Sequence, residues 1–140
     1  MVRKILARAK TKNEDKWIYG FPQPTNHMQG DSGKCFIGQY VRPTQIVPTL
    51  HICDEKTLSF YTFLTDSDGN KIFEHDLVKD EHGNIYEAFW RESYYQFSFR
   101  CVKSKHNLFI GKTFDLWSLA NKENFYVVGN IFDNPDVLED

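Results

Sequence analysis

The chain has 140 residues, enough for one domain with a real core, able to bury roughly 68% of its unfolded surface. Its composition, 41% hydrophobic, 16% aromatic and 26% charged, excludes a disordered or collagen-like chain, and a net charge of −2 excludes a global pull toward nucleic acid. Twelve Phe, seven Tyr and three Trp favour strands over helices.

In chain order, Lys4 to Ala9 reads as a short strand, Thr11 to Lys16 as a polar turn and Trp17 to Phe21 as an aromatic strand, together an N-terminal hairpin. Pro22 and Pro24 are expected to stop that strand, and Asn26 to Lys34 to form an exposed loop. Two further apolar runs follow, Cys35 to Val41 and Gln45 to Cys53, with bends at Pro43 and Pro48, the latter suited to an edge strand or a bulge. A charged turn at Asp54 to Lys56 leads to a weakly alternating strand, Leu58 to Leu64.

The stretch from Thr65 to Lys79 predicts two chain reversals within fifteen residues. Asp66 to Asn70 forms a tight turn, Ile72-Phe73 a short strand, Glu74-His75-Asp76 a corner and Leu77-Val78 the next strand. Lys79 to Asn84 is another turn, with Gly83 free to take positive φ. Ile85 to Trp90 and Tyr94 to Val102 are strands, and Lys103 to Asn107 is a turn. Leu108 to Ile110 and Thr113 to Leu119 are shorter apolar runs, and Asp115 to Asn124 reads as strand then loop in preference to a short helix. Phe125 to Phe132 is a strand with Gly129 at a bulge or close backbone approach. Asn134 caps one helical turn that starts at Pro135 and runs through Val137-Leu138. The pattern is a run of short strands at about ten-residue spacing with little helix and no internal repeat or linker.

The charge is uneven: residues 1 to 16 carry six bases against two acids, whereas the last ten carry Asp133, Asp136, Glu139 and Asp140. Such runs are usually solvated faces. A basic arm of Arg3, Lys4, Arg8, Lys10 and Lys12 contacting nucleic acid is the sharper alternative. Cys35, Cys53 and Cys101 are odd in number and read as free thiols of a reducing compartment. With neither a signal peptide nor a membrane span in the pattern, a soluble cytoplasmic protein is expected.

Three pieces together resemble the YopX family of phage and prophage proteins. They are Trp17-Ile18-Tyr19-Gly20, the central run Tyr61 to Val78, and Val127 to Leu138 with its Gly129-Asn130 and Asn134-Pro135. The resemblance implies a mainly β protein with an N-terminal hairpin and loop region over about 1–57 and a barrel-like core over about 58–138, in one domain spanning 1–140. It also implies a phage or prophage origin, hence a bacterial host cell, and an undetermined role. Its structural motif falls on Trp17, Gly20, Asp66, Gly69, Glu74, Asp76, Gly129, Asn130, Asn134 and Pro135, and it transfers no catalytic residue. Two positions depart from the family pattern, Phe63 and His75, each standing where glycine is usual. His75 is therefore expected in the left-handed region at a cost of ~1 kcal/mol.

No pattern supports a metal or a cofactor. In the run around Gly69 a calcium loop would need carboxylates where Leu64 and His75 stand. His51 and Cys53 lack zinc spacing, nothing marks a thiol as activated, and Glu74 with Asp76 suits backbone amides at a corner better than acid/base work. The aromatics Phe89, Trp90, Tyr94, Tyr95, Phe97 and Phe99, with Arg91 and Arg100, could stack single-stranded nucleic acid. Core packing is the first use of such rings, with Phe97 and Phe99 inward and Gln96, Ser98 and Arg100 outward. The reading is a non-catalytic accessory protein that engages a protein partner or a second copy, with nucleic-acid binding as the alternative.

Overall fold

The computed structural model describes residues 5–23, 33–106, 108, 110–115 and 124–139. Among them, all regular structure is antiparallel strand and short 3-10 turns, so the chain is mainly β. It divides into two compact units, Met1–Tyr61 and Thr62–Asp140. No helix among the described residues is long and apolar enough to cross a membrane.

In the first unit, β1 (Ala7–Lys10) and β2 (Trp17–Gln23) form the hairpin read from the sequence, with Arg8 opposite Tyr19 and Lys10 opposite Trp17. Its turn closes with Thr11 N donating to Lys16 O (2.9 Å) and Asp15 at φ 56°, a conformation Asp tolerates. The region is richer than a hairpin with loops. β3 (Lys34–Gln39), β4 (Thr49–Asp54) and the start of β5 (Ser59–Thr65) complete the order β4-β3-β2-β1-β5. Pro22 does not stop β2, which runs through it to Gln23: described pairing with β1 ends at Gly20, so beyond that point β2 has β3 alone to satisfy. Pro48 immediately precedes β4. Pro24 and the loop read over Asn26–Lys34 lie outside the described residues, except for Gly33 and Lys34.

The sheet of this unit curls. The end of β1 reaches β4 through a single bridge, Thr11 to Cys53, and Lys12 N donates to Ile52 O at 3.1 Å. Small side chains permit the curl: the core is Ala7, Ala9, Cys35, Ile37 and Cys53, with Ile18, Leu58 and Phe60 packed against it. At Gly20 even a Cβ would lie 2.2 Å from Gly38 O, which requires glycine there.

The second unit holds β6 (Lys71–Phe73), paired with the end of β5, and a five-stranded sheet. That sheet comprises β7 (Asp76–Asp80), β8 (Ile85–Arg91), β9 (Gln96–Lys103), β10 (Thr113–Asp115) and β11 (Phe125–Asn130), in the order β10-β9-β8-β7-β11. The barrel-like half read from the sequence is not a closed barrel. β10 has three residues, and the outer edge of β11 is taken up by the Asp66 turn instead of by another strand. The core is Ile72, Val78, Tyr86, Ala88, Phe99, Cys101 and Phe125, with Leu64, Phe114 and Val127 against it. Tyr86 meets Phe114 edge to face at 5.6 Å, and complete burial of a ring such as Phe99 contributes about 1.5–3 kcal/mol.

β9 starts at Gln96, later than the sequence reading, because Glu92–Tyr94 forms a 3-10 turn and Tyr95 is left-handed (φ 49°, ψ 47°). Ser98, expected outward, is fully buried, and Phe97 is only half-buried, lying edge-on to Trp90 at 5.0 Å. Leu108 and Ile110 belong to no strand, and the reading of Asp115–Asn124 lies outside the described residues but for its ends. β11 carries a bulge between Val127 and Gly129. A 3-10 turn, Pro135–Leu138, follows it.

Candidate functional site

The central and C-terminal motifs form one hydrogen-bonded assembly in the second unit. Asp66, buried at the end of β5, accepts from Asp68 N (2.9 Å) and Asn70 N (2.8 Å) on Oδ1, and from Asn70 Nδ2 (3.2 Å) and Val127 N (3.0 Å) on Oδ2. Ser67 N donates to Phe125 O (2.9 Å) and Ser67 Oγ accepts from Phe125 N (3.0 Å). One tight turn therefore satisfies three backbone groups along the open edge of β11, and Gly69 at φ 85° makes the reversal. Burial works to raise the Asp66 carboxyl, but the bonds from Val127, Asn70 and Asp68 outweigh it and hold the group below its ordinary value.

The next corner uses the same two segments. Asp76 Oδ2 accepts from Phe73 N at 2.8 Å, and Asp76 pairs with Asn130 across β7 and β11. His75 has φ 71°, the left-handed conformation read from the sequence, and Phe63 is also positive at 69°. Both positions where the resembled pattern has glycine are thus left-handed in this chain. His75 N donates to Ala88 O (2.7 Å), His75 O accepts from Ile131 N (3.0 Å), and its ring meets Phe132 edge-on at 5.2 Å. Glu74 sits half-buried at the same corner.

Asn134 does not cap the turn begun by Pro135. Its Oδ1 accepts instead from Asn130 N at 3.2 Å, because glycine at 129 leaves room for the side chain to fold back over β11. A Cβ at Gly129 would lie 2.5 Å from that oxygen. Asn130 Oδ1 in turn accepts from Phe132 N (3.0 Å) and Asp133 N (2.9 Å).

A recurrence that the sequence reading missed is the five-residue pattern Asp-x-x-Gly-Asn, at Asp66–Asn70 and again at Asp80–Asn84. Asp80 Oδ1 accepts from His82 N (2.9 Å) and Asn84 N (3.0 Å), and Oδ2 from Asn84 Nδ2 (3.1 Å), the geometry of the first turn. Where Asp66 receives Val127 N, Asp80 receives Tyr86 Oη at 2.9 Å. Burial would raise the Asp80 carboxyl, yet the bonds from Asn84, Tyr86 and His82 bring it below its ordinary value. The shared spacing of Asp, Gly and Asn was the available signal.

These carboxylates bind backbone amides and side-chain donors of the fold. Among the described residues, no group of three or more His, Cys, Asp or Glu is placed to hold a metal. His51 Nε2 lies 3.1 Å from Gln39 Oε1. Glu87 is a half-buried carboxyl pushed up chiefly by desolvation, with Arg100 at 3.9 Å opposing the shift. Its cross-strand neighbours are Leu77 and Arg100, which makes it an ion pair on a sheet face.

The structure draws two of the basic candidates inward. Arg8 is buried with its guanidinium 4.5 Å from the centre of the Trp17 ring, and Lys10 lies over the same ring and pairs with Asp15 at 3.6 Å. Lys12 is exposed, and Arg3 and Lys4 lie outside the described residues. In the aromatic group, Phe99 is core, Arg100 covers Phe89 at 4.4 Å and Arg91 covers Tyr94 at 3.8 Å, while Trp90, Tyr94 and Tyr95 are exposed.

A different surface emerges in the first unit. The register places Tyr19, Phe21, Phe36, Gly38, Leu50 and Ile52 on one face of β2, β3 and β4, opposite the buried face of Cys35, Ile37 and Cys53. Phe21 crosses Gly38, where any Cβ would lie 2.6 Å from the ring, and stacks on Tyr40 at 5.8 Å. Leu50 is 51% exposed and Ile52 49%, and the loop leading into β4 adds Val47 and Ile46, the latter 90% exposed. Gln45 fixes that loop, accepting from Val41 N (3.0 Å) and donating to Thr49 Oγ1 (2.8 Å). The loop is held while its aliphatic side chains face water.

A family model described as YopX protein matches residues 7–139. The chain belongs to the YopX family. Comparison with curated proteins finds no match. In this YopX-family chain, Trp17 and Gly20 serve the first unit, and the motif residues from Asp66 to Pro135 converge on the turns and the β11 edge of the second.

Proposed function

We propose that this chain is a non-catalytic accessory protein encoded by a phage or prophage, a β module that docks a protein partner on the exposed face of β2, β3 and β4. The observation that carries the reading is the exposed apolar set Tyr19, Tyr40, Leu50 and Ile52, continued by Val41, Ile46 and Val47. Apolar patches of this kind mark interaction surfaces, and aromatic residues are enriched at the centre of interfaces. The phage origin rests on the family. A cytoplasmic site accords with three free cysteines.

Nucleic acid is the less favoured partner for this face. Phosphate contacts need exposed bases, and here Arg8 and Lys10 are already engaged with Trp17 and Asp15. The non-catalytic reading draws support from Asp66, Asp76 and Asp80, whose oxygens accept bonds from the protein itself.

The test compares the tagged chain with its Leu50→Lys/Ile52→Lys variant, captured side by side from the bacterial host. A protein retained by the parent and lost by the variant, with both equally folded, is the expected result. Identical capture profiles, or retention of single-stranded nucleic acid at low salt that the variant does not change, would remove this reading.

A further inference from the structure

We infer that Cys35 and Cys53 are a latent dithiol, which an oxidant of the peroxide class converts to an intramolecular disulfide between β3 and β4. The inference stands apart from the docking reading and rests on strand register. The two residues are directly opposite each other. Glu55 N donates to Gly33 O at 2.9 Å, so that pair is hydrogen-bonded, and alternation makes Cys35 and Cys53, two positions along, hydrogen-bonded as well. The bond from Lys12 N to Ile52 O, on the other side of β4, fixes the same phase. Residues so paired have Cα atoms about 5.5 Å apart, inside the span of a disulfide. Both thiols are free, buried and part of one core.

The pair is latent because the closed fold restrains it. Cys53 Sγ donates to His51 O at 3.5 Å, a contact given up when the sulfur bonds to Cys35. Burial first, then Cys53, Glu55 and Asp54, push the Cys35 thiol up to about 12, and burial also raises Cys53. Little thiolate exists at neutral pH, and the thiolate is the nucleophile. Reaction therefore follows opening of β4, an edge strand held on its outer side by the Thr11 bridge and the Lys12 bond.

In the first step one sulfur attacks a peroxide oxygen, the O–O bond breaks, and a sulfenic acid and one water result. The second sulfur then attacks the first, the S–S bond forms, the S–O bond breaks, and a second water leaves. Two electrons pass from the sulfurs to the peroxide, and both thiol hydrogens leave in water.

The experiment treats the full chain with excess hydrogen peroxide at mildly alkaline pH, alkylates it in denaturant and maps the peptides by mass. The expected product is one chain lighter by two hydrogen atoms, with Cys35 joined to Cys53, Cys101 alkylated, and the link reversed by a thiol reductant. Cys101→Ser should give the same product and Cys53→Ser none. Recovery of both thiols alkylated, single oxidation of either to a sulfinic acid, or links between molecules would overturn the inference.

Discussion

Four donors on one buried carboxylate make Asp66 the residue with most to lose. Asp66→Ala removes charge-assisted bonds and strands Val127 N at the β11 edge; we expect a loss of about 3 kcal/mol, read as a lower urea midpoint. Phe63 points the other way. Its backbone sits at φ 69°, which costs about 1–2 kcal/mol for a side chain of this kind, against about 0.5–1 kcal/mol for the unfolded-state freedom that glycine adds. Phe63→Gly should therefore raise stability by up to about 1 kcal/mol, and a drop in midpoint would show that the ring contributes more than the backbone strain. Gly129→Ala forces a methyl against Asn134 and should cost about 1–3 kcal/mol by the same assay.

Among elements, β11 shows how an open sheet ends without a bare edge. One side pairs with β7, and the other meets the Asp66 turn, so strand pairing stops there. In the first unit the β1–β2 pair is fastened on the face opposite Ala7 and Ala9, where Arg8 and Lys10 lie over Trp17. Trp17→Ala should lower stability by about 1–3 kcal/mol, since the ring is half-buried, and Trp17→Phe by less, since the smaller ring still accepts both cations. Equal loss in the two variants, measured by denaturant titration, would show that indole shape and not the cation contact holds the hairpin.

For the whole molecule, the shifted groups define a pH window. Asp66 and Asp80 have folded values below their unfolded ones, so their stabilisation is present above the unfolded carboxylate value, about 3.9, and is lost as pH falls through the folded values. Cys35 and Tyr86 are raised, so their contribution is complete below the unfolded values and is lost as pH climbs, beginning near the ordinary thiol range at about 8.5. Urea midpoints across pH should form a plateau bounded by these two falls. Cys35→Ser should flatten the alkaline side, and Asp80→Asn the acid side.

Local chemistry carried much of this molecule in readable form. Turns at Asp66–Asn70 and Lys79–Asn84, the corner at His75, the bulge at Gly129 and the mainly strand-built class follow from residues within a few positions of one another, because Gly, Asn and Asp set backbone conformation by themselves. Tertiary structure decided what those residues touch. Asp66 reaches Val127 across sixty-one positions, Asn134 turns from capping to Asn130, Ser98 is buried, and the sheet of the second unit stays open. The exposed face of β2, β3 and β4 is likewise a product of register, since alternation alone tells which residues share a side and not which side meets water. Long-range hydrogen bonds and the covering of a face depend on chain segments far apart in sequence, and no local pattern encodes that meeting.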